Sequence, residues 1–333
     1  MQILKLKKLI SKILIKYNLN KKDAEICTKA LINAELVGAP SHGVSRLKMY
    51  CERIEKKVIN PKPKIKIKRV SNSVSFIDAD NSIGFVAADT GIKETIKIAK
   101  KTGIAFVGIK NSGHYGLSGY YIEQAVKKNL LAFAFTNAPP AIAPHGGKKT
   151  IFGTNPICFG SPTNSKIPFI FDTSMSIINR GKIRVAAKLN KSIPKGVALD
   201  KFGKQTTNAK KALSGVQLPI AGFRGSGLAW MVDILTGVFV GSAHSGKVKD
   251  PFDDFRGPQN IGHLFIAFKN NLFVKNFKQQ IKVNINRVKN IPKIKGEKIY
   301  YPGERKFFRK KLNSKKNIKI PSSIKKDLDN LLS

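Results

Sequence analysis

Cysteine is scarce in this chain and never closely spaced: Cys27, Cys51 and Cys158 stand far apart, with no C-x-x-C. That argues against a zinc knuckle or a disulfide framework and suits reduced thiols in a cytoplasmic protein. Cys158, after G-T-N-P-I, reads as a small buried apolar residue before it reads as a nucleophile. Histidine is sparse too. The five histidines form no H-x-x-x-H or H-E-x-x-H pair and have no acidic cluster beside them, so no catalytic metal is expected. No apolar run approaches the ~18–20 residues of a membrane span. Met1 to Lys22 alternates Ile and Leu with Lys, which fits a first helix packing its apolar stripe inward, not a signal core.

Acidic residues are few: 20 against 61 basic, a net charge of +41. Such a balance invites a nucleic-acid reading. The lysines, however, are spread along the whole chain, and no zinc-finger, RRM-type or basic-zipper pattern accompanies them. Salt-sensitive adhesion to polyanions is expected, and specific nucleic-acid binding is not. Three familiar motifs are also missing. G-x-G-x-x-G fails at Trp230, after Gly225-Ser226-Gly227; the G-x-x-x-x-G-K of Gly241 to Lys247 is followed by Val248 where Ser or Thr is required; and there is no G-x-S-x-G.

What is present has the rhythm of an α/β body long enough, at 333 residues, for two subdomains. Asn20 caps a helix running to Leu36, with Gly38 as its stop, and a second helix carries Leu47, Tyr50 and Ile54. Pro61 and Pro63 mark a boundary. Alternation predicts strands over Lys64–Val70 and Ser73–Ile77, then a helix from Phe85 to Ala99 ended by Gly103. Strands follow at Ile104–Ile109, Leu131–Thr136, Pro168–Phe171 and His263–Phe268. Helices are predicted over 120–128 and Leu228–Gly241, with a Lys-rich helix at the C-terminus. Residues 190–211 read as a solvated, turn-rich excursion, and a basic segment precedes Tyr301.

The chain centres on Asn111–Gly119, N-S-G-H-Y-G-L-S-G, a glycine-rich corner that puts His114 between a buried strand and a helix start. A second histidine turn lies upstream, Ser41-His42-Gly43, with Arg46 four residues on and on the same face if the next helix begins early. Histidine can move a proton near neutral pH, and arginine can grip a carboxylate with paired hydrogen bonds. Asp172 to Ser176 follows a strand end, where ligands are commonly held. Arg224 opens a helix whose N-terminus suits a phosphate. By themselves these residues also admit a cofactor-free isomerase or lyase, and the charge admits a polyanion-binding protein.

The segments S-H-G-V-S-R-L-K-M-Y, N-S-G-H-Y-G-L-S-G, A-P-H-G-G, G-T-N-P, F-D-T-S-M-S, R-G-K-I, P-I-A-G-F-R-G-S-G-L, P-Q-N-I-G-H and Y-P-G-E-R resemble, in order and over nearly the whole chain, the malate/L-lactate dehydrogenase family. The resemblance implies NAD or NADP as cofactor and interconversion of a 2-oxo acid, or a cyclic imino acid, with its 2-hydroxy or amino acid. It implies a homodimer and a mixed-sheet, non-Rossmann cofactor domain over residues 63–295. A helical domain over 1–62, joined by the segment 296–333, would pack against it. Ser41, His42, Arg46 and His114 would line the substrate pocket, with Lys182 a further pocket candidate. Asp172, Thr173, Ser174, Met175, Ser176, Phe223, Arg224, Pro302, Gly303 and Glu304 would hold the cofactor. Arg224 stands where the family usually has lysine.

Overall fold

In the computed structural model, which describes residues 1–333, the segment before the first strand is helical. Helices α1 (Ile3–Lys16) and α2 (Lys21–Leu36) form an antiparallel pair. Leu6, Ile10, Ile13 and Leu14 put the apolar stripe of α1 into the core, each fully buried, which is worth about 1.5–3 kcal/mol per side chain. The Asn20 side chain accepts the Asp23 N–H at 2.9 Å and starts α2 as the sequence predicts. Gly38 ends it with a φ of +77°. Helix α3 (Leu47–Glu55) follows two 3₁₀ turns, Pro40–His42 and Val44–Arg46. The condition under which His42 and Arg46 would share one helical face, an early start to the second helix, is therefore not met. Pro40 and Gly43 break the run into two short turns, which aim the two side chains separately.

A seven-stranded sheet makes the body, in the order β1 (Lys66–Ser71), β2 (Val74–Asp78), β3 (Ile104–Ser112), β9 (Ile261–Lys269), β4 (Leu130–Thr136), β5 (Ile157–Ser161) and β6 (Phe169–Thr173). Only β2 and β3 pair in parallel, joined by the crossover helix α4 (Gly84–Thr102); every other pairing is antiparallel. The fold is thus mixed α/β, as the strand–helix rhythm and the resemblance both imply. Helix α5 (Ser118–Val126) follows the His114 corner and packs on β4 and β5.

Two cores organise these elements. One joins α1, α2 and α3 to the C-terminal α11 (Ser322–Leu332), where Leu328 and Leu331 are buried. The other lies between α4, α5 and the sheet, around Ile92, Val107, Tyr121 and Phe265. Helix α4 serves both, since Phe85 and Val86 belong to the first and Ile92 to the second.

Several elements depart from the sequence reading. Within 190–211, which was expected to be solvated, Ile193, Val197, Ala198 and Ala209 are buried. They join α6 (Arg180–Lys188), β7 (Ala198–Leu199), α7 (Ala209–Leu213) and β8 (Val216–Gln217) around a small core of their own. Sparse apolar residues among lysines gave no periodic signal there. The predicted Leu228–Gly241 helix starts earlier, as α8 (Phe223–Asp233), because Gly222 takes a φ of +58° and turns the chain into it. It then widens into a π turn over Ile234–Val238. The basic segment holds a further helix, α9 (Phe277–Lys289), with no buried residue. The C-terminal helix is two, α10 (Glu304–Asn313) and α11.

Candidate active site

The two histidine turns meet. The imidazoles of His42 and His114 stack with centroids 5.7 Å apart and an interplanar angle of 27°. That is well inside the roughly 12 Å within which two such rings can both reach one small substrate. His42 Nδ1 lies 3.1 Å from Ser41 Oγ, and His114 Nδ1 lies 2.6 Å from the phenol oxygen of Tyr50. Each ring thus has one nitrogen held by a hydroxyl, and its Nε2 makes no hydrogen bond within the chain. Arg46 Nε donates to the Ser41 carbonyl at 2.7 Å, and its two terminal nitrogens have no acceptor in the protein.

The surroundings set these positions. Glu35, on α2, accepts the Val44 N–H at 2.8 Å and so fixes the link between the two 3₁₀ turns. Gly84, the first residue of α4, presses against the His114 corner. A Cβ there would stand 2.1 Å from the Gly113 carbonyl oxygen and 2.5 Å from the His114 carbonyl carbon. Gln259 Oε1 accepts the His114 N–H at 3.3 Å, and Asn260 Oδ1 accepts that of Asn111 at 3.0 Å. The P-Q-N segment before β9 therefore ties down a corner about 150 residues upstream. Asn111 itself sits at a φ of +53°, which asparagine tolerates better than most residues.

Burial keeps both rings neutral. His42 is pushed down to about 4, by its enclosure first and then by the Arg46 charge, with Asp172 pulling weakly the other way. His114 is held well below the ordinary histidine value by burial, then by Arg46 and His42. A third histidine, His263 on β9, is fully buried. Its ring nitrogens lie 2.7 Å from Ser112 Oγ and 2.7 Å from Thr136 Oγ1, and it stacks on Tyr115. With both nitrogens occupied it braces the strand that delivers His114.

Among the remaining candidates, Lys182 is exposed and has no partner in the chain. Its neighbour Gly181 is the residue that abuts the pocket, since a Cβ there would lie 3.4 Å from Ser41 Cβ. Asp172 Oδ2 accepts the Gly119 N–H at 3.1 Å and sits 3.6 Å from Lys306 Nζ. Thr173, Ser174 and Ser176 spend their hydroxyls on neighbouring backbone and on one another. The Met175 side chain points into an apolar cluster with Ile142, Phe152 and Ala229, so only its backbone is available to a ligand. Glu304 is likewise engaged, by Lys289 at 2.5 Å and by the Tyr301 N–H at 3.2 Å, so its carboxylate is committed to the start of α10.

Even so, the cofactor candidates form a line along β6, the edge strand. The Pro302 carbonyl accepts the Ile170 N–H near its start; Asp172 lies within it; and Met175 pairs beyond its end with Ile220, three residues before α8. From Ile170 to Ser176 an extended chain covers roughly 20 Å, long enough for a dinucleotide laid along the edge. At the far end α8 has no side-chain cap, and Arg224 is exposed and unpaired. His145, from A-P-H-G-G, covers that helix start, its backbone N–H donating to Ser226 Oγ at 3.0 Å. A bare helix N-terminus, a free arginine and a long polar edge fit a dinucleotide with its pyrophosphate.

Tyr50, Arg184 and Phe252 stand beside the candidate residues, Tyr50 against His114 and Arg184 sharing the Phe252 ring with Arg46; of the three, the sequence marks only Tyr50, as an apolar helix position. Its place four residues after Arg46 was the available signal. Phe252 lies some two hundred residues away and carries no local mark. Its ring has the Arg46 guanidinium carbon at 4.8 Å and that of Arg184 at 4.2 Å.

The sequence model of the malate/L-lactate dehydrogenase family matches residues 1–329. A malate/(S)-sulfolactate dehydrogenase of Methanothermus fervidus is 34% identical over 321 residues, 95% of this chain and 92% of that protein. The NAD(+)-dependent ureidoglycolate dehydrogenase of Escherichia coli is 32% identical over 324 residues, 96% and 92% of the two chains. The structure of sulfolactate dehydrogenase from Methanocaldococcus jannaschii superposes with a TM-score of 0.92 at 34% identity, covering 99% of this chain and 96% of that one. The chain belongs to the malate/L-lactate dehydrogenase family.

Proposed function

We propose that this protein is an NAD(P)-dependent oxidoreductase that interconverts a 2-oxo acid and its 2-hydroxy acid, with a cyclic imino acid as a related substrate. The observation that carries the reading is the stacked, neutral His42–His114 pair beside an arginine whose terminal nitrogens are free. The bound nicotinamide supplies a hydride to the substrate carbon in reduction and takes it back in oxidation. Arg46 holds the substrate carboxylate through its two free nitrogens. His114 gives its proton to the carbonyl oxygen in reduction and takes the hydroxyl proton in oxidation. Tyr50 behind it fixes the orientation of the ring. His42, oriented by Ser41, polarises the same oxygen from the other side.

Burial makes the free protein ready for oxidation, because a neutral imidazole is the base that direction needs. For reduction the substrate carboxylate offsets the Arg46 charge, which eases protonation of the ring beside it. Arg224 and the α8 start would hold the pyrophosphate, and Asp172 on β6 with Pro302 and Gly303 would hold the rest of the dinucleotide.

The same reading includes a homodimer. Its support is an apolar face along α8 and the π turn, where Phe223 and Phe239 are 72% and 67% exposed and Trp230 and Val238 lie between them. Three buried free thiols suit a reducing compartment such as the cytoplasm. No helix is long and apolar enough to cross a membrane. The test is nicotinamide absorbance with a panel of 2-oxo acids and cyclic imines, using NADH and NADPH in turn. Turnover with at least one pair is expected; none with any pair would end the proposal.

A further inference from the structure

Family membership leaves open what the substrate carries beyond its 2-oxo acid group. Malate and sulfolactate have a second acidic group, whereas ureidoglycolate has a neutral ureido group. The surroundings of Phe252 bear on this choice.

Helix α6 comes to the pocket through Gly181, packed against Ser41, and Arg184 stands three residues on, on the same helical face. Arg184 and Arg46 share the Phe252 ring, so their guanidinium carbons can be no further apart than 4.8 and 4.2 Å laid end to end. That is within the reach of the two acid groups of one four-carbon molecule. Neither arginine is fully used. Arg46 spends only Nε, and Arg184 makes no hydrogen bond, only a 3.5 Å contact from Nη2 to Asp250 Oδ2.

Charge around the ring is also out of balance. Arg46, Arg180 and Arg184 converge there, faced by Asp250, which is half-buried, and by Asp253, which is exposed. Asp250 is itself partly committed, since Oδ1 accepts the Phe252 N–H at 2.9 Å. The loop is built to hold this arrangement. Arg53, fully buried on α3, donates to the Asp254 carbonyl at 3.0 Å and the Gly257 carbonyl at 3.3 Å, with those of Asp250 and Pro251 at 3.5 Å. Two like charges held against one apolar ring repel each other at a cost that a doubly negative ligand removes.

We propose that Arg184 is a specificity-determining residue that receives the second acidic group, carboxylate or sulfonate, of a dianionic 2-oxo acid whose first carboxylate Arg46 holds. Phe252 sets the spacing between the two grips. The inference rests on the reductase reading above and selects one substrate class within it.

The test compares kcat/KM for oxaloacetate and 3-sulfopyruvate, each doubly negative, with that for pyruvate, singly negative, in the full-length protein. Taking the ratio of dianion to monoanion cancels any loss of folded protein. Wild type should favour the better dianion at least about 10-fold, and Arg184→Gln should lower that ratio on the order of 10–100-fold, the scale of a lost charge-assisted pair. Arg184→Lys, which keeps the charge, should recover most of it. A ratio unchanged in Arg184→Gln, or a wild type that prefers pyruvate, would overturn the inference while leaving the reductase reading in place. A wild type that reduces only cyclic imines would overturn the inference alone, and one that reduces neither 2-oxo acids nor cyclic imines with either cofactor would overturn both.

Discussion

At the scale of single residues the site is a set of side chains whose charge is controlled by enclosure. His42 and His114 are both neutral because the pocket strips water from their rings and places Arg46 beside them. The base form is therefore present at neutral pH and is lost only as pH falls through the depressed values, about 4 for His42 and well below the ordinary histidine value for His114. The expected outcome is that kcat/KM for 2-hydroxy-acid oxidation shows no acid limb at the ordinary histidine value near pH 6.5, the limb lying instead at lower pH. A limb at the ordinary histidine value, in a pH-rate profile of wild type, would remove the buried histidines from the role of base. Tyr50 acts through His114. Tyr50→Phe leaves a buried ring nitrogen without its partner, which costs about 1–3 kcal/mol of stability. It should also lower kcat roughly 10-fold with little change in KM, since the grip of Arg46 is untouched. Equal kcat values for variant and wild type, in steady-state kinetics, would show that Tyr50 does not position the ring.

At the scale of elements the question is how close backbone can come to backbone. The first turn of α4 reaches the His114 corner only because residue 84 has no side chain. Gly84→Ala places a methyl group 2.1 Å from the Gly113 carbonyl oxygen, a clash with backbone that cannot swing away. It should destabilise the fold by about 1–3 kcal/mol, the usual range for overpacking. Turnover should fall as the corner shifts. A melting temperature and a kcat both equal to wild type would mean that the corner yields freely. The 250–257 loop shows the opposite device. There a buried cation draws four carbonyl groups inward, so that Phe252 is held from outside its own loop.

At the scale of the whole molecule, three enclosed histidines, His42, His114 and the fully buried His263, link the fold to pH. Each has a folded value below the ordinary 6.5, so the unfolded chain takes up protons first as pH falls. Their contribution is complete above about pH 6.5 and is lost progressively below it. For His263, pushed down to about 3 and fully buried, the slope is about 1.4 kcal/mol per pH unit between the two values. Urea midpoints taken from pH 7 to 4 should fall, and His263→Gln should flatten the decline even as it weakens the protein at pH 7. An identical slope in the variant would exclude His263 as a source. The net charge of +41 adds self-repulsion, which salt should relieve.

Much of this was legible in the chain itself. The Asn20 cap, the stripe of α1, the strands that became β2 and β4, and the glycine corner at His114 follow from periods of two and 3.6 and from local turn chemistry. Such signals depend on neighbours within a turn or two, and they survive any later packing. The sparse apolar residues of 190–211 lack that periodicity; α9 does carry Phe277, Ile281, Ile285 and Val288 at helical spacing, but it buries none of them and stands in a segment that composition marks only as basic. Motif order pointed to Ser41, His42, Arg46 and His114, but it could not say how the side chains would be aimed. The convergence of His42 with His114, of P-Q-N with N-S-G-H, and of Arg46 with Arg184 on Phe252 was decided only by the tertiary structure. It depends on β9 entering the sheet between β3 and β4, and on α6 returning to Ser41. Those placements follow from burying whole faces of helices and sheet at once, a condition on the entire chain that no short segment carries.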